Sequence, residues 1–310
     1  MLSFRFTNVT AVAGFSSSQN FEHLTFLPEF PDSIFYSNGN TITKYSTKNR
    51  LQVLLASLGS QAIIKAIFPS RSKKNLLIVD SNTKCFHRVN ASENGVLNTC
   101  IESLDPQIEL ILTAAKTSKF KLYVFDSRSK IWLIEEKPDF KFQTTLVDAW
   151  SHESLVPNFM TIGAEHQYLY ISATTGVWRF DLASTDEKLM IRAGSLIYDG
   201  PITAVNIKTP GSLSSLNKDV LLIADDATKS LRVANLQTGS VTSICEAYES
   251  KSESEPERFV AGKISECKLL RPKFMLHVTD TTSGSIYIGG GNLHRLAYNK
   301  VKNRCKSSVF

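Results

Sequence analysis

Asp80, Asp126 and Asp225 are the residues from which chemistry would first be expected. Each ends an apolar run, NLLIVD at 75–80, KLYVFD at 121–126 and VLLIAD at 220–225. A carboxylate so placed could ligate calcium, which needs several oxygens converging on one point. It could instead accept the N–H groups of a turn two residues on. The three lie in separate copies of one phrase, so turn chemistry is the expected role. His87 and His294 take matching places in FHRV and LHRL, but a zinc site needs further ligands at suitable spacing, and none accompanies them. His23, His152, His166 and His277 stand alone in the sequence. There is no GxSxG and no Cys/His spacing that marks a nucleophile. GGGN at 289–292 is followed by a strand pattern, whereas a phosphate cradle needs a helix N-terminus. The residues predict no catalytic group, no metal and no cofactor.

Other residues point to covalent and charge chemistry. The five cysteines are Cys85, Cys100, Cys245, Cys267 and Cys305, with no CxxC among them. Cys85 and Cys100 bracket two strand patterns joined by SENG, so antiparallel pairing would set them opposite each other. Cys245 and Cys267 flank residues 246–266, a flexible acidic loop by composition. Disulfides Cys85–Cys100 and Cys245–Cys267 are expected; the alternative is four small buried hydrophobes. Asn8-Val-Thr and Asn90-Ala-Ser are glycosylation sequons, and Asn90, beside a turn, is the expected acceptor. Basic stretches at 70–75, 116–122 and 300–306 offer a patch of Arg71, Lys73, Lys74, Lys119 and Lys121 near Phe120. Charge with stacking is how single-stranded RNA is held.

The elements that must position these residues repeat. DVLLIAD, LRVANL and VTSICEA (219–247) read as three strands joined by the turns DATKS and QTGS. The same phrase returns from 75, 121, 167 and 284, and from 32 with Asn38-Gly39 as a hairpin turn. A further apolar strand precedes each copy: LTFLP, AIIKAIF, IELILTAA, FMTIGA, ITAVNIK and PKFMLHV. Self-similarity at a fixed interval outranks any local assignment. Six units of four strands predict an all-β fold, a six-bladed β-propeller of four-stranded antiparallel blades. The expected blades are 22–57, 61–101, 107–149, 156–194, 201–246 and 267–299 in one domain over 1–310. Residues 300–310 are too basic for a good fourth strand, and FTNVTAVAGF (6–15) has no unit before it. Pairing 6–13 with the last blade would close the ring and remove its open edge.

The fifth unit resembles the NHL repeat in Asp225, Leu231, Arg232, Val233, Gly239, Val241 and Thr242. VTAVAGF at 9–15 is similar to that family's fourth-strand ending, and Pro272 matches its entry proline. The hairpin Asp is replaced near Ser37, Ala173 and Gly289. The family's Arg position holds Arg88, Arg179, Arg232 and Arg295. The resemblance implies a propeller whose loops on one face recognise a partner. The contact face expected on the b–c hairpins and d–a loops comprises Arg128, Trp132 and Trp178 with Asp80, Asp126 and Asp225, and the acidic loop 246–257.

Composition bounds the remainder. Of 310 residues 42% are apolar and 21% charged, with net charge +6, the balance of a globular chain with a weak lean toward acidic partners. No apolar run approaches the ~18 residues of a membrane helix, so no membrane insertion is expected. Arg5 interrupts the first apolar run, which alternates like a strand and unlike a signal peptide. The first functional reading is a non-enzymatic, protein-binding scaffold, secreted or an ectodomain, hence extracellular. The second is a cytoplasmic NHL propeller binding RNA or protein. The third is a metal-dependent hydrolase or lyase. Oligomeric state is not legible.

Overall fold

The computed structural model describes residues 2–12, 23–72, 74–92, 100–103, 105–117, 121–138, 141–151, 155–194, 198–245, 262–263, 272, 274–279, 283–289 and 293–302. They form six sheets, antiparallel but for one short edge pairing, and no helix, a six-bladed β-propeller. Lettering strands a to d from the axis outward, blade two is Ile64–Pro69, Asn75–Asp80, Cys85–Asn90 and Cys100–Ser103. Blade three is Ile111–Lys116, Lys121–Asp126, Lys130–Glu136 and Phe142–Ala149. The other innermost strands are Leu24–Thr25, Pro157–Ile162, Pro210–Asn217 and Phe274–Thr279. Neighbouring a strands touch, and the sixth touches the first, which closes the ring.

The residue patterns explain the layering. Strand b lies between neighbouring blades and is buried on both sides, so it reads as a continuous apolar run such as NLLIVD. Strand d of blade three is largely exposed on alternate residues, and FQTTLVDA alternates accordingly. Each junction between successive blades carries its own apolar cluster. The b–c turn of blade one follows Asn38, with Gly39 at φ 58°, a value favouring glycine.

Ring closure takes the expected form. Leu2–Ala11 pairs antiparallel with His294–Lys302, from Leu2 opposite Lys302 to Ala11 opposite His294, with one bulge between Phe6 and Val9. Strand c of blade six thus runs on through the basic residues 300–302, farther than the sequence suggested. Blade five differs more. Its innermost strand is PGSLSSLN at Pro210–Asn217, not ITAVNIK. Asn206–Ile207 instead pairs in parallel with Arg192–Ala193 at the edge of blade four. Ile207 is fully buried there, which accounts for the apolar signal. An axial strand faces the channel and needs fewer large apolar side chains.

Candidate ligand channel

Strands a and c run in one direction, so the d–a connections and b–c hairpins share one face of the ring, and the a–b and c–d connections share the other. We call these the hairpin face and the loop face. Five equivalent backbone bonds mark where the innermost strands begin at the hairpin face. The N–H groups of Ser37, Ser81, Ser127, Thr174 and Asp226 donate to the carbonyls of His23, Ile63, Leu110, Val156 and Thr209. Ile63, Leu110 and Val156 are 46%, 42% and 55% exposed, an apolar arc across three consecutive blades.

Inside the ring lies a cavity of about 870 Å³ to which all six innermost strands contribute. Toward the hairpin face its wall carries Lys65, Asn158 and an aromatic group. Phe159 and Phe274 meet edge to face at 5.0 Å, and His23 lies 5.6 Å from Phe274. Toward the loop face the wall carries Lys116, Thr117, Ser70, Arg71 and Glu29. Two bonds lace the wall across blades: Asn158 Nδ2 donates to the Pro210 carbonyl at 3.0 Å, and the Met275 N–H donates to Ser212 Oγ at 2.9 Å.

The wall's charge is mainly positive. Burial lowers the Lys116 pKa to about 8, against a raising effect of Glu136. Burial lowers His23 to about 4, with Lys65 acting in the same direction and a bond to the Ile64 carbonyl at 3.1 Å opposing it. His23 is therefore neutral at pH 7. Behind the loop-face end Glu136 is buried, accepting from Ser70 Oγ at 2.6 Å and the Arg71 N–H at 2.8 Å. Arg88 approaches the same carboxylate at 3.5 Å. The four cations Lys65, Arg71, Arg88 and Lys116 thus face two carboxylates, Glu29 and Glu136.

The structure gives most of the residues singled out in the sequence a role in the frame. Asp80 accepts from the Asn82 N–H at 3.0 Å and Thr83 Oγ1 at 2.5 Å, and also from the Ile63 N–H at 2.9 Å. Asp126 accepts from the N–H groups of Arg128 and Lys130 and from Trp132 Nε1 at 2.8 Å, with Glu109 N–H at 3.4 Å. Asp225 accepts from the N–H groups of Lys208 and Thr209, each at 3.0 Å. The aspartates therefore tie each blade's hairpin to its d–a connection, a longer reach than turn chemistry predicts. Trp132 is buried, and so is Trp178, whose Nε1 donates to Thr175 Oγ1 at 3.0 Å. Of the six residues expected on the contact face, Arg128 alone is exposed, and it pairs with Glu109 at 2.6 Å.

His87 faces Asp80 of its own blade at 3.5 Å, and His294 is fully buried with its pKa lowered to about 4 by burial. Among the described residues no three His, Cys, Asp or Glu side chains gather as a metal site would require. In the expected basic patch, Lys121 pairs with Glu135 at 2.7 Å and Arg71 is tied to Glu136. Lys74 is exposed, while Lys73 and Lys119 lie outside the described residues. Carboxylates thus offset the charge on which the RNA reading rested, and the described residues do not support it. Arg232, the family-like arginine, is a buried strut donating to the Tyr198 carbonyl at 2.7 Å and pairing with Asp199 at 3.3 Å.

The disulfide Cys85–Cys100 is present, with Cα atoms 5.6 Å apart. Cys245 is disulfide-bonded; Cys267, its expected partner, lies outside the described residues, as does most of the acidic loop. Asn90 is half-buried, its Oδ1 accepting from the N–H and Oγ of Ser92 at 2.9 and 2.6 Å. The channel residues were not singled out in the sequence. The available signal was a polar residue set inside or at the end of an inner apolar run, as Lys65 is in AIIKAIF and Lys116 after LTAA.

No family model matches the chain. No curated protein matches it in sequence either. Solved structures do. One is a structural genomics protein of unknown function from Bacteroides thetaiotaomicron, with TM-score 0.74 and 13% identity over 96% of this chain and 76% of that one. Another is an auxiliary nutrient binding protein from Bacteroides ovatus, with TM-score 0.71 and 12% identity over 96% and 77%. A third is a putative phosphatase from Bacteroides thetaiotaomicron, with TM-score 0.70 and 11% identity over 97% and 80%. The likeness is one of fold. The NHL resemblance rests on the residues quoted for it.

Proposed function

We propose that this chain is a non-enzymatic binding propeller that takes its ligand into the axial channel. The observation that carries the reading is the cavity of about 870 Å³ lined from all six blades. Sites for small ligands are concave, mostly apolar, furnished with a few polar groups and roughly 300–1,000 Å³ in volume. Solved structures of this shape that are named nutrient-binding proteins support a binding role. The disulfide supports a place outside the cytosol, where such bonds persist.

A protein partner on the hairpin face is the second reading. The apolar arc of Ile63, Leu110 and Val156 favours it, with Arg128 beside it. The two are separated by native mass spectrometry of protein purified from its source, together with a variant that fills the channel, Thr161→Trp. A co-purifying small molecule lost in the variant supports the channel. Retention of a protein partner by both forms, with no small molecule, supports the face.

A further inference from the structure

We infer that the channel selects an organic anion, an acid group on an apolar body, with the acid at Lys116 and the body against Phe159 and Phe274. This rests on the channel reading above and names the ligand's class. Three observations converge on it.

The first is sign. Lys65, Arg71 and Lys116 line the cavity, and Glu29, which is exposed, is the carboxylate on its wall among the described residues. Glu136 stands behind the wall, and Ser70 Oγ and the Arg71 N–H already engage its two oxygens. It offsets part of the charge, and Lys65, Arg71, Arg88 and Lys116 still outnumber Glu29 and Glu136. A cationic ligand would meet lysines at both ends; an anion meets a complementary charge.

The second is the separation of charge from apolar surface. Strand pairing sets Thr113 opposite Phe125 and Phe159 opposite Ser172, equivalent places in blades three and four. Lys116 lies three residues beyond Thr113, so at ~3.3 Å per residue the backbone positions of Lys116 and Phe159 are roughly 10 Å apart along the axis. The edge-to-face pair Phe159–Phe274 presents ring surface at the far end. A ligand of aromatic or aliphatic body with one terminal acid spans that interval.

The third is desolvation. Burial holds Lys116 down to about 8, so its charge is poorly hydrated in the free protein. An ion pair formed there loses less water than one at the surface, and hydrogen bonds from a charged donor are about twice as strong as neutral ones.

The test uses two fluorescent probes of one shape. 8-Anilinonaphthalene-1-sulfonate carries the acid group, and N-phenyl-1-naphthylamine has the same rings without it. Both are titrated against the full chain and the variants Thr161→Trp, Lys116→Gln and Lys65→Gln, with melting temperatures recorded to show that each variant folds. The sulfonate is expected to bind at one site abolished by Thr161→Trp. Lys116→Gln should weaken it about tenfold or more and leave the neutral probe unchanged, while Lys65→Gln should weaken it less. If Lys116→Gln fails to fold, Lys116→Met, which keeps the apolar stem, takes its place. Displacement of the sulfonate by 1-naphthoate or 1-naphthyl phosphate supports the inference, and equal displacement by uncharged 1-naphthol overturns it. Equal affinity for the two probes, both blocked by Thr161→Trp, overturns the anion preference and leaves the channel reading intact. Binding that ignores Thr161→Trp overturns both.

Discussion

Asp126 shows what one carboxylate does for a blade. It accepts bonds from the hairpin that follows it, from the indole of Trp132 and, at longer range, from Glu109 in the d–a connection. Asp126→Ala would strand these donors, the Trp132 indole N–H buried and the others part-buried, at about 3 kcal/mol. Urea unfolding should show the loss as a lower midpoint at unchanged slope. The sequence disclosed the turn half of this role through the Asp and the small residues after it. It could not disclose the other half, because Glu109 and Ile63 meet their aspartates across the blade. His294 supports a second expectation at this scale. Burial lowers its pKa to about 4 from 6.5, so between those values the unfolded chain binds a proton that the folded chain does not. The stability is complete above pH 6.5 and falls as pH drops through the window, by up to about 1.4 kcal/mol per pH unit. His23 adds in the same direction. Denaturation between pH 6.5 and 5 should show this slope, and His294→Leu should roughly halve the part due to the two histidines. A wild-type profile already flat there would refute the account.

Among elements, the innermost strands are unequal. Leu24–Thr25 pairs with strand b of its blade at two positions, Leu24 with Tyr36 and Thr25 with Phe35. Ile111–Lys116 pairs at five. Since local stability follows backbone pairing and buried contact, the ring should open first where blade one meets blade six. Hydrogen exchange should find the amides of Leu24–Thr25 and Phe274–Thr279 exchanging before those of Ile111–Lys116; the reverse order would refute it. At this scale the sequence was clearest for the b strands, whose unbroken apolar runs repeat, and for the closing strand, whose missing partner was visible at the other end of the chain. It misled for blade five. Ser212, Ser214 and Ser215 look like a loop, yet a strand bordering a channel has little need of bulk, while the run that looked like a strand packs Ile207 under blade four's edge.

For the whole molecule, the channel was the least legible feature. Lys65, Lys116, Phe159 and Phe274 are separated widely in the chain, and closure of the ring alone brings them around one axis. Lysines inside apolar runs hinted that the inner strands face water, but neither the size of the space nor its sign can be read before the blades are counted and closed. The disulfide was legible, since it joins antiparallel neighbours. Cys85 and Cys100 are separated by 15 residues, and cross-linking a loop of that length is worth about 3 kcal/mol. Cys100→Ser should lower the unfolding free energy by about that amount in non-reducing buffer and leave the protein indifferent to reductant at that bridge. An unchanged midpoint would show that the unfolded chain is not constrained there.

The pairing of Leu2–Ala11 with His294–Lys302 has a consequence for how the protein is made. On the ribosome Leu2–Ala11 emerges long before its partner. At ~5–20 residues per second the wait is roughly 15–60 seconds. Throughout that time the strand has no completed edge on which to settle. Five blades can assemble as they appear, while the segment that locks them stays unengaged until synthesis reaches its mate. A pause near residue 290 would therefore leave the ring unlatched, a form that quality-control machinery should recognise and that synthesis of the partner strand would rescue.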